Sequence, residues 1–193
     1  MPVYPESDDA TRTVRRWLDQ CKYHDECNRE PDGISLPTRV VDVGGFDGFE
    51  LRLHETTGTA HMPYVALSHC WGSLKSCRLT SYNLQHYTKQ ILPSELPQTF
   101  KDAVRVTRLF GFRYLWIDSL CIIQDDRMDW EVESAKMSSI YNHAYLVVAA
   151  SCAANAEAGF LHPRPITGLK CGSLLHDGRQ HDTYLCDDVI HTL

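Results

Sequence analysis

The sequence has no excess of basic residues. It holds 19 lysines and arginines against 25 aspartates and glutamates, a formal net charge of -6 at pH 7. No basic stripe is clustered along it, which argues against a nucleic-acid-binding surface. No apolar run approaches the roughly 20 residues that a membrane-spanning helix needs. We therefore predict no nucleic-acid partner and no membrane span.

The N-terminus lacks a secretory signal, because MPVYPESDDA is acidic and has no apolar core region. The eight cysteines are therefore predicted to be reduced thiols in a cytoplasmic protein, with no disulfides. Cys121 and Cys152 lie in apolar surroundings and are predicted to be small core residues. The sequence also has no G-x-G-x-x-G or Walker motif, so classical dinucleotide and P-loop binding find no support.

The first 60 residues predict a helix followed by a hairpin. Apolar residues at helical spacing run from Thr11 to Tyr23, and TRVVDVGG with FELRLHET reads as two strands around Gly44, Gly45 and Gly48. We predict that residues 1–60 form an N-terminal layer packed on a core domain of residues 61–155. Residues 156–193 are a C-terminal extension whose structure the pattern does not predict.

Strands and helices alternate in the core. YVALS (64–68), RYLWIDSLCII (113–123) and AYLVVAAS (144–151) predict buried strands. A helix is predicted from Pro97 to Phe110, with Thr99 as its N-cap, and another from Asp125 or Asp126 to Asn142. This alternation predicts an α/β fold with a mostly parallel sheet flanked by helices.

Polar residues follow each predicted core strand. Ligands of open parallel sheets bind beyond the carboxyl ends of the strands. The candidate ligand-binding residues at these ends are Ser68, His69, Trp71 and Gly72 after the first strand and Asp118 in the second, with Trp130 on the following helix.

Glu133 is an acid on the apolar side of that helix. In the stretch DWEVESAKM (129–137), Trp130 and Met137 lie on one side of the helical wheel, and Glu133 lies among them. We predict that its carboxylate faces a polar pocket at the sheet edge. The alternative is a structural ion pair, since an unpaired buried carboxylate would be costly.

Other residues also have structural interpretations. His69 can be a hydrogen-bonded structural residue, Asp118 a backbone cap, and Trp71 and Trp130 packing residues. Cys21, His24 and Cys27 have spacing that zinc ligands use, but a structural zinc site needs a fourth ligand. A nucleophilic cysteine, Cys121 or Cys70 with His69 or His143, lacks any recognisable oxyanion hole.

Three long strings resemble one known family. YVALSHCWG, LPQTFKDAVRVTRLFGFRYLWIDSLCIIQDD and DWEVESAKMSSIYNHAYLVVAAS resemble the fungal heterokaryon-incompatibility (HET) domain, in the family's order and spacing, from Tyr64 to Ser151. WLDQCKYHDEC and LPTRVVDV resemble the region that often precedes it. The resemblance implies a cytosolic fungal protein tied to programmed cell death after non-self recognition.

HET domains are considered distant relatives of Toll/interleukin-1 receptor (TIR) domains, which have a flavodoxin-like fold. Some TIR domains cleave NAD at the nicotinamide–ribose bond with a helical glutamate, and Trp130-Glu-Val-Glu133 is similar to that helix. The resemblance thus implies a TIR-like sheet, Glu133 as the catalytic residue and NAD as substrate, with no cofactor required. The sequence departs from the TIR pattern in the 25 or so residues between the first strand and the first helix.

Two functions follow from this resemblance. The first is hydrolysis of NAD or a related nucleotide, with Trp71 or Trp130 stacked on nicotinamide and Ser68, His69 and Asp118 orienting ribose or phosphates. The second is a non-enzymatic signalling module that acts by self-association, in which Glu133 is structural.

Overall fold

The computed structural model describes residues 2–3, 7–24, 36–44, 50–56, 62–72, 77–165, 168–176 and 179–186. The strands are β1 (Pro2–Val3), β2 (Arg39–Asp42), β3 (Arg52–Glu55), β4 (Tyr64–Ser68), β5 (Tyr114–Trp116), β6 (Leu146–Ala149), β7 (Arg164–Pro165), β8 (Gly168–His176) and β9 (Arg179–Cys186). The helices are α1 (Asp8–Cys21), α2 (Leu84–Lys89), α3 (Gln98–Leu109), α4 (Asp118–Cys121), α5 (Arg127–Ala135) and α6 (Met137–His143). A 3-10 turn covers Pro93–Glu95.

Five strands form the central sheet in the order β3-β2-β5-β4-β6. β4 pairs in parallel with β5 on one side and with β6 on the other. The predicted hairpin is confirmed, since β2 and β3 are antiparallel, but β2 also pairs antiparallel with β5. The α/β class is confirmed, whereas the predicted mostly parallel sheet is mixed because the hairpin extends it.

This topology defines one edge of the sheet at which several of the predicted site residues lie. The parallel strands β4, β5 and β6 all end there. Because β2 is antiparallel to β5, it begins at that same edge, with Thr38 directly before it. We call this edge the carboxyl edge.

Two predicted strands differ from those observed. The apolar run 113–123 is a strand only as far as Trp116, and it continues as the short helix α4. Its later residues are still buried, and periodicity alone does not separate a buried strand from a buried helix. The third strand was predicted to be buried, yet Val147 of β6 is 42% exposed.

The other core elements follow the sequence closely. β4 has the predicted bounds, and the side chain of Asp126 caps α5 by accepting hydrogen bonds from the backbone of Met128 and Asp129. Thr99 is not the cap of α3. It is buried, and its hydroxyl donates to the carbonyl of Asn155 at 3.2 Å, since Pro97 occupies the N-cap position.

The described contacts divide the chain into two compact units. One is Trp17–Phe160, which contains the five-stranded sheet; the other is Met1–Arg16 with Leu161–Leu193, which contains the β1–β7 pair and the β8–β9 hairpin. The predicted boundaries at residues 60 and 155 differ from the limits of these units and stay a prediction. Over the described residues, no helix combines the length and apolar character required to cross a bilayer.

Candidate functional site

Three predicted site residues meet at the carboxyl edge. The segment after β4 carries His69 and Trp71, and Asp118 follows β5. The indole Nε1 of Trp71 donates to Asp118 Oδ2 at 2.9 Å, and the backbone NH of Ser119 donates to Asp118 Oδ1 at 2.7 Å. Asp118 is therefore held in place by two donors. We call His69, Trp71 and Asp118 the edge cluster.

His69 is the buried member of the edge cluster. Its side chain is 1% exposed, and its Nδ1 lies 3.7 Å from Asp118 Oδ1, with no hydrogen-bond partner. Its ring packs edge-on against Phe100, with centroids 5.0 Å apart, and stacks parallel to Trp71. Burial lowers the pKa of His69, although the charge of Asp118 opposes this effect. The Nδ1 of this buried imidazole thus faces a carboxylate.

Position 72 requires glycine for a steric reason. Its φ is +68°, a left-handed conformation that residues with a side chain rarely adopt. A Cβ at this position would lie 2.5 Å from the Cβ of Asn155. Glycine therefore lets the segment pack against Asn155. Ser68, predicted with Gly72 as a ligand-binding residue, is exposed at the end of β4.

Glu133 lies at the same edge but is covered. Its side chain is 4% exposed, and its Oε1 accepts hydrogen bonds from Thr38 Oγ1 and Lys136 Nζ, each at 2.8 Å. Lys136 also donates to Thr38 Oγ1 at 3.1 Å. The inward direction predicted for Glu133 is therefore correct, whereas the open pocket that it was expected to face is replaced by an ion pair. Its catalytic role stays a prediction.

The structure adds an ion pair that the sequence analysis missed. Asp129, one helical turn before Glu133, pairs with the Arg39 guanidinium, whose side chain is 5% exposed. Arg39 Nε also donates to the carbonyl of Cys121 at 2.9 Å, and Asp129 Oδ2 accepts from the backbone NH of Ile123 at 2.8 Å. The i, i+4 spacing of the two acids was visible in the sequence, but nothing local identified Arg39, 90 residues away, as the partner.

Tyr141 is a second residue at this edge that the sequence pattern did not predict as part of it. Its hydroxyl donates to the carbonyl of Leu67 at 3.1 Å, and its ring packs edge-on against Trp116. The charge of Asp118 adds to the effect of burial, and together they raise the pKa of Tyr141 to about 12. Tyr141 thus fixes α6 to the end of β4.

Trp130 is not part of the edge cluster. It is 50% exposed on α5, although the helical wheel placed it on the inward side beside Glu133.

The alternative cysteine and zinc sites receive no support from the described residues. Burial raises the pKa of the Cys121 thiol to about 12, so this cysteine is a poor nucleophile. Cys152 is exposed, contrary to the predicted core position. Cys27 lies outside the described residues, and within those that are described no group of three or more His, Cys, Asp or Glu side chains could hold a metal ion.

Residues 64–186 match the family model described as Heterokaryon incompatibility protein (HET). This match spans more than half of the chain. The chain belongs to the HET family. The edge cluster, Glu133 and Asp129 all lie inside the matched region of this HET domain.

One relative of the HET domain is heterokaryon incompatibility protein 6, OR allele, of Neurospora crassa. The two are 30% identical over 92 residues, which is 44% of this chain and 14% of the relative. The chain therefore spans about a seventh of that relative's length. No solved structure matches the chain.

Proposed function

We propose that this HET domain is a cell-death effector domain of fungal non-self recognition. The family match over residues 64–186 and the similarity to a heterokaryon incompatibility protein support this role. We extend the proposal to hydrolysis of NAD at the nicotinamide–ribose bond.

The position of Glu133 is the observation on which the hydrolase proposal rests. Thr38 and Lys136 hold its carboxylate at the carboxyl edge, where ligands of α/β sheets bind. Cleavage of an N-glycosidic bond passes through an oxocarbenium-like state, which a nearby carboxylate stabilises.

The proposed reaction needs no general acid. The bond between ribose C1′ and the nicotinamide nitrogen breaks, and its electron pair goes to the nitrogen, so nicotinamide leaves as a neutral molecule. Water then adds to C1′ and releases a proton to solvent, giving ADP-ribose. Glu133 faces the positive charge that develops at C1′.

Substrate must displace Lys136 to reach Glu133. Lys136 is 48% exposed, so its Nζ can move into water, where hydration offsets part of the lost ion pair. A ribose hydroxyl can then donate to Glu133 Oε1 in its place. Trp71, 39% exposed, offers a ring for the nicotinamide, and the Ser68 hydroxyl is open to ribose or phosphate.

The test is release of nicotinamide from NAD by the purified chain. We expect Glu133→Gln to lower the rate by about 100-fold or more, because it removes the negative charge that stabilises the transition state. Glu131→Gln is the matched control, since Glu131 lies on the same helix in an exposed pair with Arg127. Equal rates for wild type and Glu133→Gln would exclude Glu133 from the reaction.

The second candidate is a non-enzymatic module that acts by self-association. The ion pair of Glu133 fits a structural role, and α5 exposes apolar side chains one turn apart, Met128 (78%) and Val132 (54%). A second copy of the chain that covered these two side chains would remove their apolar area from water. The test is light scattering at increasing protein concentration, measured beside the nicotinamide assay. Self-association that Met128→Glu weakens, with no release of nicotinamide, would favour this module over the hydrolase.

A further inference from the structure

A cleft lies along α3, apart from Glu133 and the edge cluster. It has a volume of about 280 Å³ and is lined by Leu51, Pro93, Leu96, Lys101, Val104, Arg105 and Arg108. Arg108 Nε donates to the carbonyl of Val43 at 2.7 Å, and Val43 follows β2 at the edge where the parallel strands begin. We call this site the α3 cleft.

The α3 cleft has a row of cations on one wall. Lys101, Arg105 and Arg108 follow one another at spacings of four and three residues, which places them on one face of α3. None of the described lining residues is acidic, although the chain as a whole carries a net charge of -6. The cleft is therefore locally positive on an acidic protein, which favours an anionic ligand.

Arg108 provides an independent indication of a ligand. Its Nη2 is buried and has no hydrogen-bond partner. A guanidinium stays charged in proteins, and a buried donor without an acceptor is destabilising. Burial lowers the pKa of Arg108, the direction expected when no anion offsets its charge.

The floor of the α3 cleft is apolar. Leu51 and Leu96 are each 3% exposed, and Val104 is 5% exposed. Leu51 forms an isolated antiparallel bridge with Ile91, which fixes this part of the floor to the segment before the 3-10 turn. A ligand that fits both surfaces has an anionic group for the cations and an apolar or aromatic body for the floor.

We propose that the α3 cleft binds a small soluble organic phosphomonoester, with its phosphate on Arg108 and Lys101 and its apolar body on Leu51 and Leu96. A phosphate accepts several charge-assisted hydrogen bonds, and arginine matches its geometry. The volume is near the lower end of small-molecule sites, so it suits a ligand the size of a nucleoside monophosphate and not a dinucleotide. This site does not depend on the NAD hydrolase proposal.

The test is calorimetric titration of the full chain with AMP, adenosine and inorganic phosphate. We expect AMP to bind more tightly than either part alone, because only AMP contacts both the cations and the floor. Arg108→Gln and Lys101→Gln should each weaken AMP binding by about tenfold or more. Arg127→Gln, which removes an exposed cation from α5, should leave binding unchanged.

If the Arg108→Gln variant does not fold, Lys101→Gln still tests the site. Lys101 is exposed on α3, so its replacement leaves the core intact. AMP affinity equal in wild type and Lys101→Gln would overturn the assignment, as would adenosine binding as tightly as AMP. A fourth arm measures binding to phosphatidylcholine vesicles containing phosphatidate. Binding to those vesicles without binding to AMP would also overturn the assignment of a soluble ligand.

Discussion

At the scale of single residues, the chemistry of the carboxyl edge depends on what covers Glu133. The helical wheel showed that this acid points inward, because the direction of a side chain is set by its position along one helix. Its partner Thr38 is 95 residues away in the chain, so no local pattern predicted that contact. Lys136 is only three residues away, a spacing at which helical side chains pair, so this contact was visible in the sequence.

Lys136→Met is expected to raise the rate of nicotinamide release by about tenfold, because substrate no longer competes with a charged hydrogen bond to Glu133. The same variant should unfold at lower denaturant concentration, since Glu133 loses its cation. Lys22→Met is the control, as Lys22 forms an exposed i, i+3 pair with Asp19. A rate of nicotinamide release by Lys136→Met at or below that of wild type would contradict the proposal that Lys136 blocks the access of substrate to Glu133.

Asp42 is predicted to make stability depend on pH. Burial alone would raise its pKa, but hydrogen bonds from Arg113 and the backbone NH of Gly44, with the charges of Arg113 and Arg52, lower the pKa of Asp42 overall. A lowered folded-state pKa adds stability above the unfolded value of 3.8, and this contribution is lost as pH falls through the folded value.

Asp42→Asn should therefore lower the free energy of unfolding by about 2 kcal/mol at neutral pH, the range of a charged hydrogen bond. The difference from wild type should shrink as the pH falls below 3.8. Urea unfolding of both proteins from neutral pH to below 3.8 measures this difference in unfolding free energy. Asp9→Asn is the control, because Asp9 is exposed. If the difference in unfolding free energy between wild type and Asp42→Asn grows at low pH, the pKa of Asp42 is raised in the folded protein and not lowered.

At the scale of elements, α5 is joined to the sheet by two acids on successive turns. Asp129 contacts Arg39 at the start of β2, and Glu133 contacts Thr38 beside it. The sequence predicted this helix and its Asp126 cap, because capping depends on neighbouring residues. It did not predict that β5 ends at Trp116, since an apolar run is compatible with either a strand or a buried helix.

Asp129→Asn is expected to lower the free energy of unfolding by about 3–5 kcal/mol, because it leaves the buried Arg39 charge without its partner. Denaturant unfolding measures this loss. Glu131→Gln, in an exposed pair on the same helix, should change the free energy of unfolding by less than about 0.5 kcal/mol. Equal effects of the two substitutions would mean that the Arg39 pair does not anchor α5.

At the scale of the whole molecule, the described buried side chains lie between Leu36 and Phe160, whereas α1 has none. They fall within the unit Trp17–Phe160, which also holds all five strands of the central sheet. Burial of apolar area is the main stabilising contribution in folding. This unit therefore contains the described hydrophobic core.

A fragment of residues 17–160 is expected to fold on its own and to unfold in one cooperative transition. Circular dichroism and thermal unfolding of the fragment beside the full chain measure this. Loss of near-ultraviolet dichroism with a broad transition would show that residues 1–16 or 161–193 are needed for core packing.

The sequence by itself determined the local features of this HET domain. Strand β4, the Asp126 cap of α5, the inward direction of Glu133 and the motifs from Tyr64 to Ser151 depend on residues close together in the chain. Tertiary structure alone decided the pairing of β2 with β5, the contact of Trp71 with Asp118, and the contacts of Asp129 with Arg39 and of Glu133 with Thr38. The physical reason is that these contacts join segments 47 to 95 residues apart, and only the packing of the sheet brings such segments within hydrogen-bond distance.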